Sequence, residues 1–498
     1  MGSSLREGWW LDAFRLGMIR NPGTHVPRAG DATRILRLLV LSGIAIRVVA
    51  LLRWDIVYDG AVYAVMGESL LQHGEFLVPA SGAAAFYHQY PPLFPAFLAA
   101  FYAVLGFGAN QTKVAEFVLS LAFLGTVHAT SKDLLGRERA WFVTAFVSLE
   151  PIFLITTAIG FSESLVGLLF VLTVWAIVRS LQNPRFMLWA GIFAGLGFLA
   201  KASLGPLFLV AGFAGLAWRI RLGGLRVLRD RWYGAGIGAF GGFVGLWSAR
   251  DLLRYGWPHW DTSAVVDSAY SFGLAHPGLF AFGLLAKIPW FLLIFVFYAG
   301  PFLPQLRRAW RHKSEETTGA LLLAIALVFL TGWIVASAFW TVEGTAIWWT
   351  DNMRYVVIAS PVIAWAGLRE FPGRRCIPSR SFRRFRARYA LWMTLFLFFA
   401  CVIAAFPAPY SQVAVAEELG AHVHPGDVVG VHGLSLESIL PYVPVPDVHL
   451  VVYQSGFSGP FVISGDGSLF PGYTLIAYSH AVDLTGQAYV CALWERAS

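Results

Sequence analysis

The chain has 498 residues, of which 57% are hydrophobic and only 13% charged, and its mean hydropathy is +0.62. A water-soluble protein of this size could not hide that much apolar surface, so its solvent is mostly lipid. The net charge of +8 does not point to nucleic acid, because the basic residues are gathered in short loops between apolar runs.

Residues 1–34 form an interfacial N-terminal segment. Within it WWLDAFRLGMIR (9–20) reads as an amphipathic stretch on the cytoplasmic surface of the membrane, with no cleavable signal pattern. Apolar windows able to cross a hydrocarbon core of about 30 Å then recur. They lie at 35–52, 113–131, 140–160, 162–180, 204–220, 232–249, 278–303, 319–341, 355–368 and 389–407. The expected fold is an all-α polytopic membrane protein over 35–407, with about 11–13 transmembrane helices.

Sidedness follows from the loops. RIRLGGLRVLRDR (219–231), QLRRAWRHK (305–313) and REFPGRRCIPSRSFRRFRAR (369–388) are strongly basic and are placed in the cytoplasm. The loops 53–90, 251–277 and 341–354 are poor in Lys and Arg and are placed outside. One conflict remains. If 91–108, 113–131 and 140–160 each cross fully, Glu163 falls on the cytoplasmic side and the basic SKDLLGRER (131–139) falls outside. Either one of the three is re-entrant or interfacial, or a span is miscounted.

From 408 to 498 the composition changes to eight acids, one Arg and no Lys. DVVGVH, VHLVVY and YTLIAYS suggest short strands alternating with a helix, a small extracytoplasmic α/β domain tethered at Phe406–Pro409. Three Cys give neither a disulfide framework nor a metal-ligand spacing.

Three groups of residues carry chemistry. The stretch WDIVYDGAVYAVMGESLLQHGEFLVP (54–79) brings four acids to the membrane boundary, Asp55, Asp59, Glu68 and Glu75. Tyr58, Val62, Val65, Leu70 and Leu71 suggest a helix resting on the outer interface, with Asp59 near its start, where a carboxylate suits the helix dipole. A simple helix cap is the plainer reading. Glu163 in AIGFSESLVGLLF sits at a junction of two spans, where an ionisable group is costly enough to suggest function; Ser162 or Ser164 as an N-cap is the alternative. Two carboxylates on one face suit general-base work, one deprotonating an acceptor hydroxyl and the other orienting it. The third group is a set of cations near the outer boundary, Arg53, Lys201, Arg250 and Arg354, suited to holding a phosphate unless they only snorkel to the interface. His88 and Tyr90 in YHQYPP add donors for the same anion.

In this order the pieces resemble the polyprenyl-phosphate-sugar-dependent glycosyltransferases of the GT-C type, a group that includes protein O-mannosyltransferases and aminoarabinose transferases acting on lipid A. The matching stretches are the first outer loop with Asp59 and YHQYPPLFP, the FSES of Glu163, GLGFLAK ending at Lys201, ARDLLRYGWP (249–258) and MRYVVIASPVIAWAG (353–367). The resemblance implies a GT-C-like fold and transfer of a sugar from a polyprenyl-phosphate donor to a hydroxyl of a glycan, lipid or protein, with inversion. Asp59 would be the base and Glu163 the second acid, while Lys201 and Arg354 would hold the donor phosphate. Two departures stand out. Gly60 follows Asp59 where many members have Glu, and Tyr90 precedes the Pro-Pro pair where some have Lys. No essential metal and no cofactor are expected. Mannose, an arabinose derivative and glucose are all compatible sugars. A transporter or flippase of lipid-linked sugars is the rival reading, since intramembrane charges and Pro-broken helices serve transport as well. A scaffold subunit of an envelope-synthesis complex is the third.

Overall fold

The computed structural model describes residues 29–56, 59–76, 90–255, 277–311, 318–342, 355–369 and 379–405, then 415, 418–419, 421–424, 426–432, 449–452, 460–464, 470, 473–482 and 488–496. The amphipathic stretch 9–20, Tyr58, His88, Arg354 and the tether Phe406–Pro409 lie outside these residues.

Helix α1 (Ala29–Arg53) is apolar on nearly every face, as a lipid-facing span must be. Leu38, Leu41 and Leu52 are exposed, which in a bilayer means turned towards acyl chains. Helix α2 (Asp59–His73) starts at the sequence-predicted acid, and α3 (Leu93–Leu105) follows the Pro-Pro pair. The two pack side by side where Gly67 leaves room for Leu98 and Pro95, and Tyr63 meets Phe94 edge-on at 4.9 Å.

Both ends of α3 stay near the C-terminal end of α1. Tyr90, just before α3, bonds to Asp59. Tyr102, in its last turn, shares a 2.6 Å hydrogen bond with Thr112 in the first turn of α4 (Ala109–Leu135), where Lys113 lies 4.0 Å from Asp55. With 13 residues α3 is about 20 Å long, short of a hydrocarbon core. It is therefore 91–108 that turns back, and the topological conflict disappears.

Helices α5 (Arg137–Ser148) and α6 (Pro151–Ala158) form one span bent by 58°. The cause is local. Pro151 cannot donate to the preceding turn, and Glu150 caps α6 by accepting from the Ile152 amide at 3.1 Å and from the Phe153 amide. Wholly buried Arg47 of α1 satisfies the carbonyl of Ser148 at 2.5 Å and lies over the Phe153 ring. Backbone freed by a break inside a bilayer needs such a partner.

The remaining helices are α7 (Glu163–Ser180), α8 (Phe186–Ala200), α9 (Gly205–Gly223), α10 (Arg231–Tyr255), α11 (Pro277–Ala299), α13 (Thr318–Val342), α14 (Val356–Arg369) and α15 (Ser379–Ala405), with the short α12 (Leu303–Arg311) between α11 and α13. Among the described residues five helices are long and apolar enough to cross a membrane alone, and six if the bent pair counts as one span. Helix α8, absent from the windows read in the sequence, lies against α10; a Cβ on Gly191 would meet the Gly236 carbonyl at 1.9 Å.

Charge separates the two ends of this bundle. At one end Arg179 of α7 pairs with Asp133 of α4, Arg369 of α14 donates to the Leu134 carbonyl at 2.6 Å, and Arg139 of α5 donates to the Leu368 carbonyl at 3.2 Å. At the opposite end stand Asp55, Asp59, Glu163 and Lys201.

The C-terminal part holds a five-stranded mixed sheet of order β2-β1-β3-β5-β4. Strand β1 (Val428–His432) runs parallel to β2 (His449–Val452) and β3 (Phe461–Ser464), and β5 (Ala488–Arg496) runs antiparallel to β3 and to β4 (Tyr473–Val482). Val462, Phe470, Ala492 and Trp494 form its small core. The expected all-α membrane bundle with a C-terminal α/β part is thus the observed fold class.

Candidate active site

The site is assembled from helix ends. Asp59 opens α2 and Glu163 opens α7, so both carboxylates sit in first turns, where the dipole and free amides favour negative charge. Between α6 and α7 the chain turns at Gly160, whose φ of +81° is open to glycine and strained for other residues. Helix α2 rests on this turn. A Cβ added at Gly60 would lie 2.2 Å from the Ile159 carbonyl oxygen and 3.1 Å from that of Gly160. This is the physical reason that Gly60 stands where the sequence resemblance would offer Glu: no side chain fits.

Lys201 caps the C-terminus of α8 in an extended conformation, where the helix breaks before the 3-10 turn Ala202–Leu204. Its side chain is 3% exposed. The ammonium lies 3.1 Å from Glu163 Oε1 and 3.8 Å from Asp59 Oδ2, and 5.2 Å from the centre of the Tyr355 ring, just before α14. Asp59 Oδ1 accepts from the Tyr90 hydroxyl at 2.8 Å. Tyr63 tilts against Tyr90 at 4.7 Å, and the Ser162 hydroxyl donates to Tyr63 at 3.3 Å.

Four of the residues singled out in the sequence therefore meet: Asp59, Tyr90, Glu163 and Lys201. The two acids are not equivalent. Glu163 is fully buried, whereas the Asp59 side chain is 21% exposed. A carboxylate must be reachable to take a proton from a substrate hydroxyl, and of the pair Asp59 is the reachable one. Lys201 offers its charge to both, and a buried carboxylate such as Glu163 needs that partner.

Arg250 stands apart. It pairs with Asp251 at 2.8 Å and stacks on Trp247 at 4.4 Å and Phe76 at 5.8 Å. Phe76 follows the C-terminal end of α2, about 20 Å of helix away from Asp59. Among the described residues no group of three His, Cys, Asp or Glu is placed to hold a metal.

Sequence reasoning missed a second layer. The Ser164 hydroxyl donates to Glu116 Oε2 at 3.0 Å, and both residues are fully buried next to Glu163. Glu116 is an acid inside the apolar window 113–131, and that isolation was the available signal. Tyr63 and Tyr355 carried no signal beyond their aromatic neighbours.

Residues 89–240 match the family model described as dolichyl-phosphate-mannose-protein mannosyltransferase, a stretch holding Tyr90, Glu163 and Lys201 but not Asp59. Among curated proteins no sequence relative is found. Solved structures share the fold. ArnT from Cupriavidus metallidurans bound to undecaprenyl phosphate is 14% identical with a TM-score of 0.61, the alignment covering 92% of this chain and 98% of that one. The apo form of the same enzyme gives a TM-score of 0.62 at 14% identity over 93% and 98%. The oligosaccharyltransferase AglB from Archaeoglobus fulgidus, in complex with an inhibitory peptide and a dolichol-phosphate, gives 0.50 at 12% identity over 92% and 74%. The architecture is that of the GT-C glycosyltransferases, multi-pass membrane proteins. The resemblance read from the motifs, to the polyprenyl-phosphate-sugar-dependent enzymes of that type, is borne out.

Proposed function

We propose that the protein is a membrane glycosyltransferase that moves a sugar from a polyprenyl-phosphate donor to an acceptor hydroxyl at the outer face, inverting the anomeric carbon. The observation that carries this reading is the buried ammonium of Lys201 between a sealed carboxylate, Glu163, and a reachable one, Asp59. Asp59 takes the hydroxyl proton as the acceptor oxygen attacks the anomeric carbon from the side opposite the phosphate. The bond from that carbon to the phosphate oxygen breaks, and its electron pair leaves with the polyprenyl phosphate. Such a leaving group needs charge stabilisation rather than protonation, and a cation held in a low-dielectric site supplies it. Lys201 is proposed to supply that charge from its place between Glu163 and Asp59, with Arg354 and His88 as the phosphate contacts. Tyr90 orients Asp59, and Glu163 holds Lys201 in place. Arg250 of α10, paired with Asp251 and stacked on Trp247, is given no part in this step.

The outer location rests on the basic loops at the other end of the bundle, which the positive-inside rule assigns to the cytoplasm. Helix α15 runs from Arg384, Arg386 and Arg388 to the apolar Ala405, and residues 408–498 are proposed to lie at the same outer face. That domain is proposed to select the acceptor.

The test uses full-length protein in proteoliposomes with radiolabelled polyprenyl-phosphate mannose, arabinose derivative or glucose, and membrane extract as acceptor. Release of polyprenyl phosphate with label on the acceptor is expected for one of these donors; a flippase would move the donor intact. Asp59→Asn keeps shape and hydrogen bonding but not basicity, and turnover should fall roughly 10²–10⁴-fold. A variant retaining more than a tenth of the activity removes Asp59 from the role of base.

A further inference from the structure

A cavity of about 140 Å³ lies at the basic end of the bundle, where the C-terminal ends of α4, α7 and α14 meet the N-terminal turn of α13. Among its lining residues Asp133, Arg179, Gln182, Thr318, Leu322 and Arg369 define its chemistry. Asp133 is already engaged. It accepts from Trp175 Nε1 at 2.7 Å, from Arg179 Nε at 2.6 Å and from a second nitrogen of Arg179. The third nitrogen of Arg179 donates to Gln182 Oε1 at 2.9 Å. Two guanidinium groups thus line a space with one carboxylate, leaving a net positive charge.

Helix capping explains part of this arrangement. Arg369 gives Nη1 to the Leu134 carbonyl, and Arg139 closes the end of α14 in the same way. A guanidinium has five N–H donors, so the cap uses only part of Arg369, and a cap requires no cavity beside it. The start of α13 adds the positive end of a helix dipole, with Thr318 and, one turn on, Leu322 on the wall. Helix α13 continues into apolar residues, so an anion held here would lie beside a hydrophobic surface.

We propose that this cavity binds the phosphate of an anionic phospholipid in the leaflet on the basic side. Basic pockets between transmembrane helices suit such headgroups, and a phosphodiester matches the planar fork of an arginine. The same chemistry would take inorganic phosphate, so the experiment carries an arm for each.

Delipidated full-length protein in detergent is incubated with equal amounts of phosphatidylglycerol and phosphatidylcholine, and retained lipid is read by native mass spectrometry. Wild-type protein should prefer phosphatidylglycerol by about fivefold or more. Arg369→Gln should remove most of that preference. Leu322→Phe, which narrows the cavity from its apolar wall and leaves every charge in place, should remove it too, with the caps intact. Inorganic phosphate should displace the retained phosphatidylglycerol. Equal retention of the two lipids by the wild type overturns the proposal, as does a full preference in a stably folded Leu322→Phe variant. Phosphate binding without lipid retention would reassign the cavity to a soluble anion and overturn the lipid assignment.

Discussion

The two ends of the helical bundle each hold an ion pair built from helix termini, and their surroundings make them different objects. At the basic end Arg179 and Asp133 are 30% and 32% exposed and tie α7 to α4 at an accessible edge of the bundle. At the acid end Lys201 and Glu163 are 3% and 0% exposed, and a second carboxylate, Asp59, competes for the same ammonium. An exposed pair gains little over its hydrated parts, whereas a buried one cannot lose a partner without stranding the other. The same chemistry that fastens helices at one end becomes a charged, dry device at the other.

The largest expected effect on stability tests that contrast directly. Lys201→Met leaves Glu163 buried without its cation and should cost about 3–5 kcal/mol, read as a lowered unfolding midpoint in detergent. The double variant Lys201→Met/Glu163→Gln should recover much of the loss. An unchanged midpoint in the single variant would place the acid end in the same class as the basic one. Gly60→Ala should be next, at about 1–3 kcal/mol, because its Cβ must push against the Ile159 carbonyl. Activity should fall with stability here, since the clash moves Asp59 away from Lys201.

A smaller effect concerns pH. Burial pushes the Glu68 carboxyl of α2 up to about 7, against a weaker lowering by the hydrogen bond from Gln72. The folded state then holds this proton more tightly than the unfolded chain. The stability it lends is full below about 4.5 and is lost as pH rises through about 7. Glu68→Gln should flatten the stability profile over that window; a profile identical to wild type would show that Glu68 is well hydrated. The smallest effect should be Asp133→Asn at the exposed pair, within about 1 kcal/mol of wild type. A loss as large as that of Lys201→Met would erase the distinction between the two ends.

Much of this was legible in the chain itself. Long apolar windows gave the spans, since lipid demands them, and acids at junctions between windows gave Asp59 and Glu163. Lys201 was visible because it interrupts an apolar hairpin. What escaped depends on contacts between distant residues. The run 91–108 is as apolar as a span, and its short length together with the contacts at its two ends, Tyr90 with Asp59 and Tyr102 with Thr112, shows that it turns back. The window 140–160 reads as one helix; the bend at Glu150–Pro151 is stabilised by Arg47, about a hundred positions earlier. Helix α8 is short and glycine-rich, and its close approach to α10 compensates. Strands β3 and β5, FVIS and AYVCALWER, pair at the centre of the sheet, yet neither run stood out by itself. Tyr90 was read as a phosphate donor, and the structure gives its hydroxyl to Asp59.

The bend between α5 and α6 bears on how the chain enters the membrane during synthesis. Arg47 emerges from the ribosome well before Glu150, and Glu150 before Tyr298, which also donates to it. An arginine at the centre of an inserting helix costs about 2.5–3.5 kcal/mol, and Arg47, between the centre and the C-terminal end of α1, leaves that helix to bear part of this cost until its partners arrive. The strong apolarity of the rest of α1 allows this. The bent pair that follows has its backbone broken at Glu150–Pro151, and Arg47 of α1 offers a donor to the freed Ser148 carbonyl. Helix α1 is thus expected to act as a template for the later pair, its arginine bearing on assembly as well as on the finished fold.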